Sequence, residues 1–227
     1  MLTVALVLLA VALITGNFAA PLRSLSTDPN QFVGFVVAIV LGITVHEFMH
    51  AYAAHRLGDD TARLMGRMSL DPRVHFDVFG TLLLVLAGFG YGKPVPVNYA
   101  RLRGAFGASV VALAGPVANF AIAAVAAIPL RYGGADLLGG NYREILGWVV
   151  LWNCVLGIFN LIPIPPLDGS NVVYGLLPPK QQWQWRSFQQ YGPILLLLLL
   201  WFGFQFLSSI VFAPAVAIAR FLTGGRL

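Results

Sequence analysis

The sequence has 227 residues, of which 58% are hydrophobic and only 10% charged, with a mean hydropathy of +0.79. A soluble domain carries roughly 45–50% apolar and about 25% charged residues, so these side chains are too apolar to clothe a globule in water. Disorder, a collagen-like repeat and a disulfide framework also fall, because the 24 glycines follow no period and Cys154 is the single cysteine.

The net charge of +5 comes from 14 Lys and Arg against 9 Asp and Glu. These basic residues lie singly in short connecting segments and form no stripe with interleaved aromatics, so no nucleic-acid partner is expected. The class that remains is an all-α polytopic membrane protein. The apolar runs predict about five to six transmembrane helices, with a re-entrant or extended segment near the functional residues.

Residues 2–20 are uninterruptedly apolar, close to the roughly 20 that a spanning helix needs. A cleaved signal peptide would want a basic start and a small-x-small site, and Phe18-Ala19-Ala20-Pro21 offers neither, so a retained helix is expected. A second run covers 32–57 and contains His46-Glu47-Phe48-Met49-His50. The polar segment 58–77 follows, with Arg63, Arg67, Arg73 and four aspartates. Residues 78–90 are apolar but too short to span, which suits a re-entrant or interfacial piece.

In 91–104 the prolines at 94 and 96 forbid helix and suit an extended segment with a free edge. Helices are predicted at roughly 105–130 and 144–164, then a proline-rich turn over 163–168 and an amphipathic stretch to about 190. The last run, 192–221, is broken near Pro214 and reads as one tilted helix or a helix plus a short return. If 78–90 re-enters, one side of the membrane collects Arg56, Arg63, Arg67, Arg73, Lys93, Arg101, Arg103, Lys180 and Arg186. The other holds Arg23, Arg131 and Arg143, while Arg220 and Arg226 are unassigned. Nine against three places 56–104 in the cytoplasm by the positive-inside rule.

HExxH on a helix puts two imidazoles one turn apart on one face, with a carboxylate between them. That spacing suits two ligands of one tetrahedral zinc and a general base. A Glu and two His in hydrocarbon are costly unless paired or ligating, so the membrane context sharpens the reading. His55, nine residues after His46, faces away and marks the interfacial end of its helix. His75 reads as a solvated or substrate-side histidine in a polar loop.

A catalytic zinc needs a third protein ligand. Asp136, Glu144 and Asp168 are the candidates, and Asp168 leads because it follows a helix end unwound by Pro163, Pro165 and Pro166. Such a break is tolerated in a membrane only where it lines a cavity or is buried in protein. The alternative role for Asp168 is an N-cap of the next helix. A zinc transporter would show repeated halves. The chain has one HExxH and no second copy, and Glu47 would be superfluous for transport. The intact Glu47 also argues against an inactive scaffold.

HEFMH at 46–50, AGPVAN at 114–119 and NLIPIPPLDG at 160–169 resemble the three motifs of the site-2 protease family of intramembrane zinc metalloproteases, peptidase family M50. GYGKPVPVN at 90–98 and SLDPRVHFDVFGT at 69–81 resemble connecting motifs of its prokaryotic members, with Leu-Asp-Pro where Leu-Asn-Pro is common. The resemblance runs from about residue 34 to 175 and is to the compact type without a PDZ domain.

The resemblance implies one Zn2+ per chain held by His46, His50 and Asp168, with Glu47 activating the bound water. Asn160 would assist substrate or oxyanion binding, and Asn119 would support packing and the surroundings of the site. It further implies hydrolysis of peptide bonds in or near transmembrane segments, as in regulated intramembrane proteolysis. The layout expected is a single membrane domain over 1–227, with a catalytic core at about 32–175 and accessory helices at 2–20 and 192–221. Lys93, Pro94, Val95, Pro96 and Val97 are candidates for holding an extended substrate as an added strand. The partners expected are the lipid bilayer, a transmembrane protein or signal-peptide remnant as substrate, and a regulatory membrane protein. The expected location is the prokaryotic inner membrane, with the site toward the cytoplasm.

Overall fold

The computed structural model describes residues 24, 25, 27–87, 92–134, 137, 139–202 and 204–227. The expected helix over 2–20 and the candidate Asp136 lie outside the described residues. Helix α1 spans Pro29–Arg56, entered through Asp28, whose carboxylate accepts from the Gln31 N–H at 3.0 Å. Pro29 opens it where no N–H is needed, and His55 and Arg56 close it where the helix dipole favours cations.

A short helix α2, Thr61–Leu64, and a ten-residue helix α3, Val78–Ala87, lie in the connection to α4, Gly107–Arg131. Helix α5, Gly140–Asn160, begins four residues before the predicted start and ends four before the predicted end. The prolines at 163, 165 and 166 cannot continue it. Helices α6, Asp168–Leu176, and α7, Pro179–Gln189, make up the stretch read as amphipathic. The chain ends in α8, Gly192–Phe202, then α9, Phe204–Leu207, a π-helical turn at Ser208–Phe212, and α10, Ala213–Thr223.

Among the described residues, four helices are long and apolar enough to cross a membrane: Pro29–Arg56, Gly107–Arg131, Gly140–Asn160 and Gln205–Thr223. The protein is an all-α polytopic membrane protein. No strand occurs among the described residues, only an isolated antiparallel bridge between Phe76 and Gly92.

Lipid tails are as apolar as leucine, so helices in a bilayer associate through close packing of small residues. Ala123 and Ala127 of α4, Val150 and Cys154 of α5, and Val211, Ala215 and Ala219 of the last segment are all buried in one cluster. Val36, Val37, Val40 and Leu41 on α1, with Val117, Val125 and Ile128 on α4, are exposed large apolar groups. They supply the outer face that lipid covers.

The ten described residues of α3 rise about 15 Å, half of the ~30 Å hydrocarbon core. Phe76 bridges Gly92, and the Lys93 N–H donates to the His75 carbonyl at 2.7 Å. The described flanks of the segment thus sit side by side. This pairing also corrects the reading of His75. It is fully buried, its Nε2 lies 2.7 Å from the Ser69 carbonyl, and it is not a solvated loop histidine.

The interruption expected near Pro214 is the π-helical turn that precedes it, a wider turn that accommodates a residue lacking an N–H. Helix α10 stops at Gly224 in the left-handed region, φ +65°. There Arg131 donates to the Phe221 carbonyl at 2.7 Å, and Arg143 to the Arg226 carbonyl at 3.3 Å. Asn30 donates to Glu144 at 2.7 Å, tying the start of α1 to the start of α5. Arg220 and Arg226 therefore join Arg131 and Arg143 at the end opposite Arg56.

Candidate metal centre

Helix α1 presents His46 and His50 side by side, with ring centroids 4.6 Å apart. Their Nε2 atoms are 3.0 Å from each other. The Asp168 Oδ2 lies 2.9 Å from Nε2 of His46 and 3.2 Å from that of His50. Both histidines are buried and Asp168 is nearly so. Asp168 is the first residue of α6, yet its side chain makes no capping bond there. The broken helix end turns the carboxylate onto the imidazoles.

The outer nitrogens decide what this triad can hold. His50 Nδ1 lies 2.7 Å from the Val111 carbonyl, which can only accept, so Nδ1 carries the proton. His46 Nδ1 lies 2.7 Å from Asn119 Oδ1, again an acceptor. Both Nε2 lone pairs are then left to face the Asp168 oxygen, so three acceptors converge with no donor among them. That arrangement calls for a cation. The separations of 2.9, 3.0 and 3.2 Å approach the ~3.3 Å edge of a tetrahedron with bonds of ~2.0 Å, and two neutral imidazoles plus a carboxylate with an open fourth position suit a catalytic zinc. Among the described residues this is the one group of at least three His, Cys, Asp or Glu that could hold a metal ion.

The space comes from α4. A Cβ on Gly115 would lie 2.5 Å from His50 Nε2 and 2.6 Å from His46 Nε2. Only glycine lets the α4 backbone pass this close and leave room between the rings.

Glu47 meets the segment 93–98. Its Oε2 accepts from the Val95 N–H at 3.0 Å. This strap is tied down at both ends: Arg67 donates to the carbonyls of Lys93 and Pro94, and Asp59 Oδ2 accepts from the Asn98 N–H at 2.6 Å. In extended chain, the N–H groups of 95 and 97 point to one edge and positions 94, 96 and 98 to the other. The prolines at 94 and 96 thus delete donors only on the edge that Asp59 holds at Asn98. The donors of Val95 and Val97 belong to the edge that meets Glu47.

Asp59 is fully buried, and burial pushes its carboxyl up. The Thr61 hydroxyl and the N–H groups of Asn98 and Thr61 outweigh that and hold it below the ordinary 3.8. The remaining candidates are bonded to groups other than the triad. Asn160, last in α5, donates back to the Leu156 carbonyl of its own helix at 3.1 Å. His55 pairs with Asp60 at 2.5 Å beyond the site, and Glu144 is held by Asn30 at the opposite end.

The chain matches the model of peptidase family M50 over residues 34–136 and 127–200. It belongs to peptidase family M50. The relatives of this M50 protein include "Putative zinc metalloprotease YwhC" of Bacillus subtilis (strain 168), 37% identical over 72% of this chain and 78% of the relative. Rip2 of Mycobacterium tuberculosis (strain ATCC 25618 / H37Rv), which carries the same zinc metalloprotease description, is 30% identical over 81% and 74%. "Zinc metalloprotease MJ0392" of Methanocaldococcus jannaschii is 26% identical over 86% of this chain but half of its own length. No solved structure matches the chain. The M50 protein is a zinc metalloprotease of the site-2 protease type.

Four residues at or behind the site were not singled out in the sequence: Gly115, Asp59, Arg67 and Asn153, whose Oδ1 accepts from Asn119 Nδ2 at 3.1 Å. Asn153 carries a signal that could have been followed, since it is a polar residue inside an apolar membrane helix. Asp59 and Arg67 look in sequence like any solvated loop charges.

Proposed function

We propose that the protein cleaves peptide bonds in or near transmembrane segments of membrane proteins, as one membrane domain over 1–227 with its catalytic core at about 32–175. The observation that carries this is the buried convergence of His46 Nε2, His50 Nε2 and Asp168 Oδ2 beside Glu47, inside a bundle of apolar helices. Zinc held by those three residues supplies Lewis acidity and a nucleophilic water at neutral pH.

Glu47 acts as the base, taking a proton from the attacking water and returning it to the leaving amine. Asn160 spends one amide proton on Leu156, and its NH2 has a second. We assign that proton to the oxyanion that develops on the scissile carbonyl. Asn119 holds His46 in the ligating tautomer. A helical substrate must unwind to expose a carbonyl, and the strap offers it an edge. A substrate carbonyl that takes the Val95 N–H displaces Glu47 from that donor and leaves the carboxylate to its proton transfer.

The basic excess at the Arg56 end supports an orientation with the 57–106 connection and the zinc site toward the cytoplasm of a prokaryotic inner membrane. The proposed substrates are single-pass proteins or signal-peptide remnants, with a regulatory membrane protein controlling access. The test uses purified protein in proteoliposomes with a pool of single-pass transmembrane peptides, followed by mass spectrometry. The expected result is chelator-sensitive cuts within or next to the apolar segments, absent in Glu47→Gln at unchanged zinc content. Cuts confined to polar flanks far from the membrane, or cuts that survive Glu47→Gln, would overturn the reading.

A further inference from the structure

Behind His46 lies a chain of two asparagines, of which Asn119 touches the histidine and Asn153 does not. Asn119 and Asn153 are both fully buried. Asn119 Oδ1 faces His46 Nδ1 at 2.7 Å, while its Nδ2 donates to the Gly42 carbonyl at 3.2 Å and to Asn153 Oδ1 at 3.1 Å. Asn153 Nδ2 donates to the Val149 carbonyl at 3.0 Å and reaches the Ala38 carbonyl at 3.5 Å. The NH2 of each asparagine is anchored on a backbone carbonyl, which can only accept, so each amide has one orientation. The two asparagines bridge three helices, α1, α4 and α5. A Cβ on Gly42 would fall 2.8 Å from Asn153 Oδ1, so the α1 backbone lies against the relay.

The orientation has a consequence at the metal. Were Asn119 flipped, its NH2 would face His46 Nδ1 and require a lone pair there. The imidazole proton would move to Nε2, and His46 could no longer ligate. We propose that Asn153 is a positioning residue for the zinc site: through Asn119 it locks His46 in the tautomer whose Nε2 is free to bind metal. The inference rests on the reading of the triad as a zinc centre. Asn153 lies one step behind the group that touches the ligand, so its effect is on metal affinity first and on turnover only through it.

The test is zinc affinity of purified full-length protein, by competition with a chromophoric chelator, for wild type, Asn153→Leu and Asn153→Asp. Leucine matches the asparagine in size and offers no acceptor to Asn119, whereas aspartate keeps the acceptor at the same reach. Loss of an outer partner of a ligating histidine typically costs 10–100-fold in metal affinity. About tenfold weaker zinc binding is therefore expected for Asn153→Leu, with Asn153→Asp within about threefold of wild type. Melting of the metal-free proteins separates this from a packing role. A packing role lowers the melting temperature of both variants and leaves the zinc affinity of the folded protein unmoved, and that result overturns the proposal. Equal loss of affinity in both variants overturns it too, because the acceptor would then be irrelevant. If Asn153→Leu does not fold, Asn153→Asp against Asn153→Ala makes the same comparison. A wild type that binds no zinc defeats the metal-centre reading itself, a different outcome from a wild type that binds zinc and a leucine variant that binds it as well.

Discussion

Gly115 shows at the level of one atom how the site depends on what is missing. A methyl group there would lie within 2.6 Å of the Nε2 atoms of both His46 and His50. The rings cannot yield, since each is pinned at its Nδ1 by Val111 or Asn119. Gly115→Ala is expected to lower zinc affinity by at least about tenfold while the helix, where alanine is favoured over glycine, stays intact. Zinc per mole of protein by atomic emission, with helicity by circular dichroism, checks both halves. In the same measurement Asp168→Ala should lose most of its zinc and Glu47→Gln should keep it, because Glu47 bonds to Val95 and not to the triad. Glu47, His46 and His50 were legible in the sequence because HExxH fixes their spacing on any helix. Gly115 was not, since its role is set by the distance between α4 and α1, which no local pattern encodes.

The strap is the element whose role depends on tertiary anchors. Alternate prolines announced an extended segment with one free edge. Only the fold reveals that Arg67 pins the strap at Lys93 and Pro94, that Asp59 holds the other edge at Asn98, and that Val95 reaches Glu47. Val95→Pro, which deletes the edge donor, is expected to abolish most cleavage of a transmembrane peptide while zinc content holds. Val95→Ala keeps the N–H and should retain activity, and the pair is compared by initial rates. Asp59 adds a pH signature. Its carboxyl is held below the ordinary 3.8, so its contribution to stability is full above that value and is lost as pH falls through the lower folded value. Melting curves from pH 6 to about pH 3 should fall more steeply for wild type than for Asp59→Asn, which has no carboxylate to protonate. A common slope would mean that Asp59 does not anchor the strap as a carboxylate. The helix limits were less legible than the helices: α5 stops at Asn160 because three prolines follow, while its start at Gly140 lies among glycines that carry no helical signal.

At the scale of the molecule the question is which way the bundle faces. The apolar runs announced the spanning helices, but the sequence left Arg220 and Arg226 unassigned, because a helix broken at Pro214 could have turned back. Their place beside Arg131 and Arg143 follows from contacts across about 90 residues of chain, Arg131 to Phe221 among them. With these two moved to the Arg131 end, the Arg56 end still carries the excess of cations, so the orientation argument holds. It predicts labelling with a membrane-impermeant maleimide. The native Cys154 is buried and should stay silent. Asp60→Cys, at the Arg56 end, should label in inverted vesicles and not in intact spheroplasts, and Arg226→Cys the reverse. The opposite pattern would place the 57–106 connection, and with it the strap beside Glu47, outside the cell. The proposed substrates would then have to present their cleavage sites from that face.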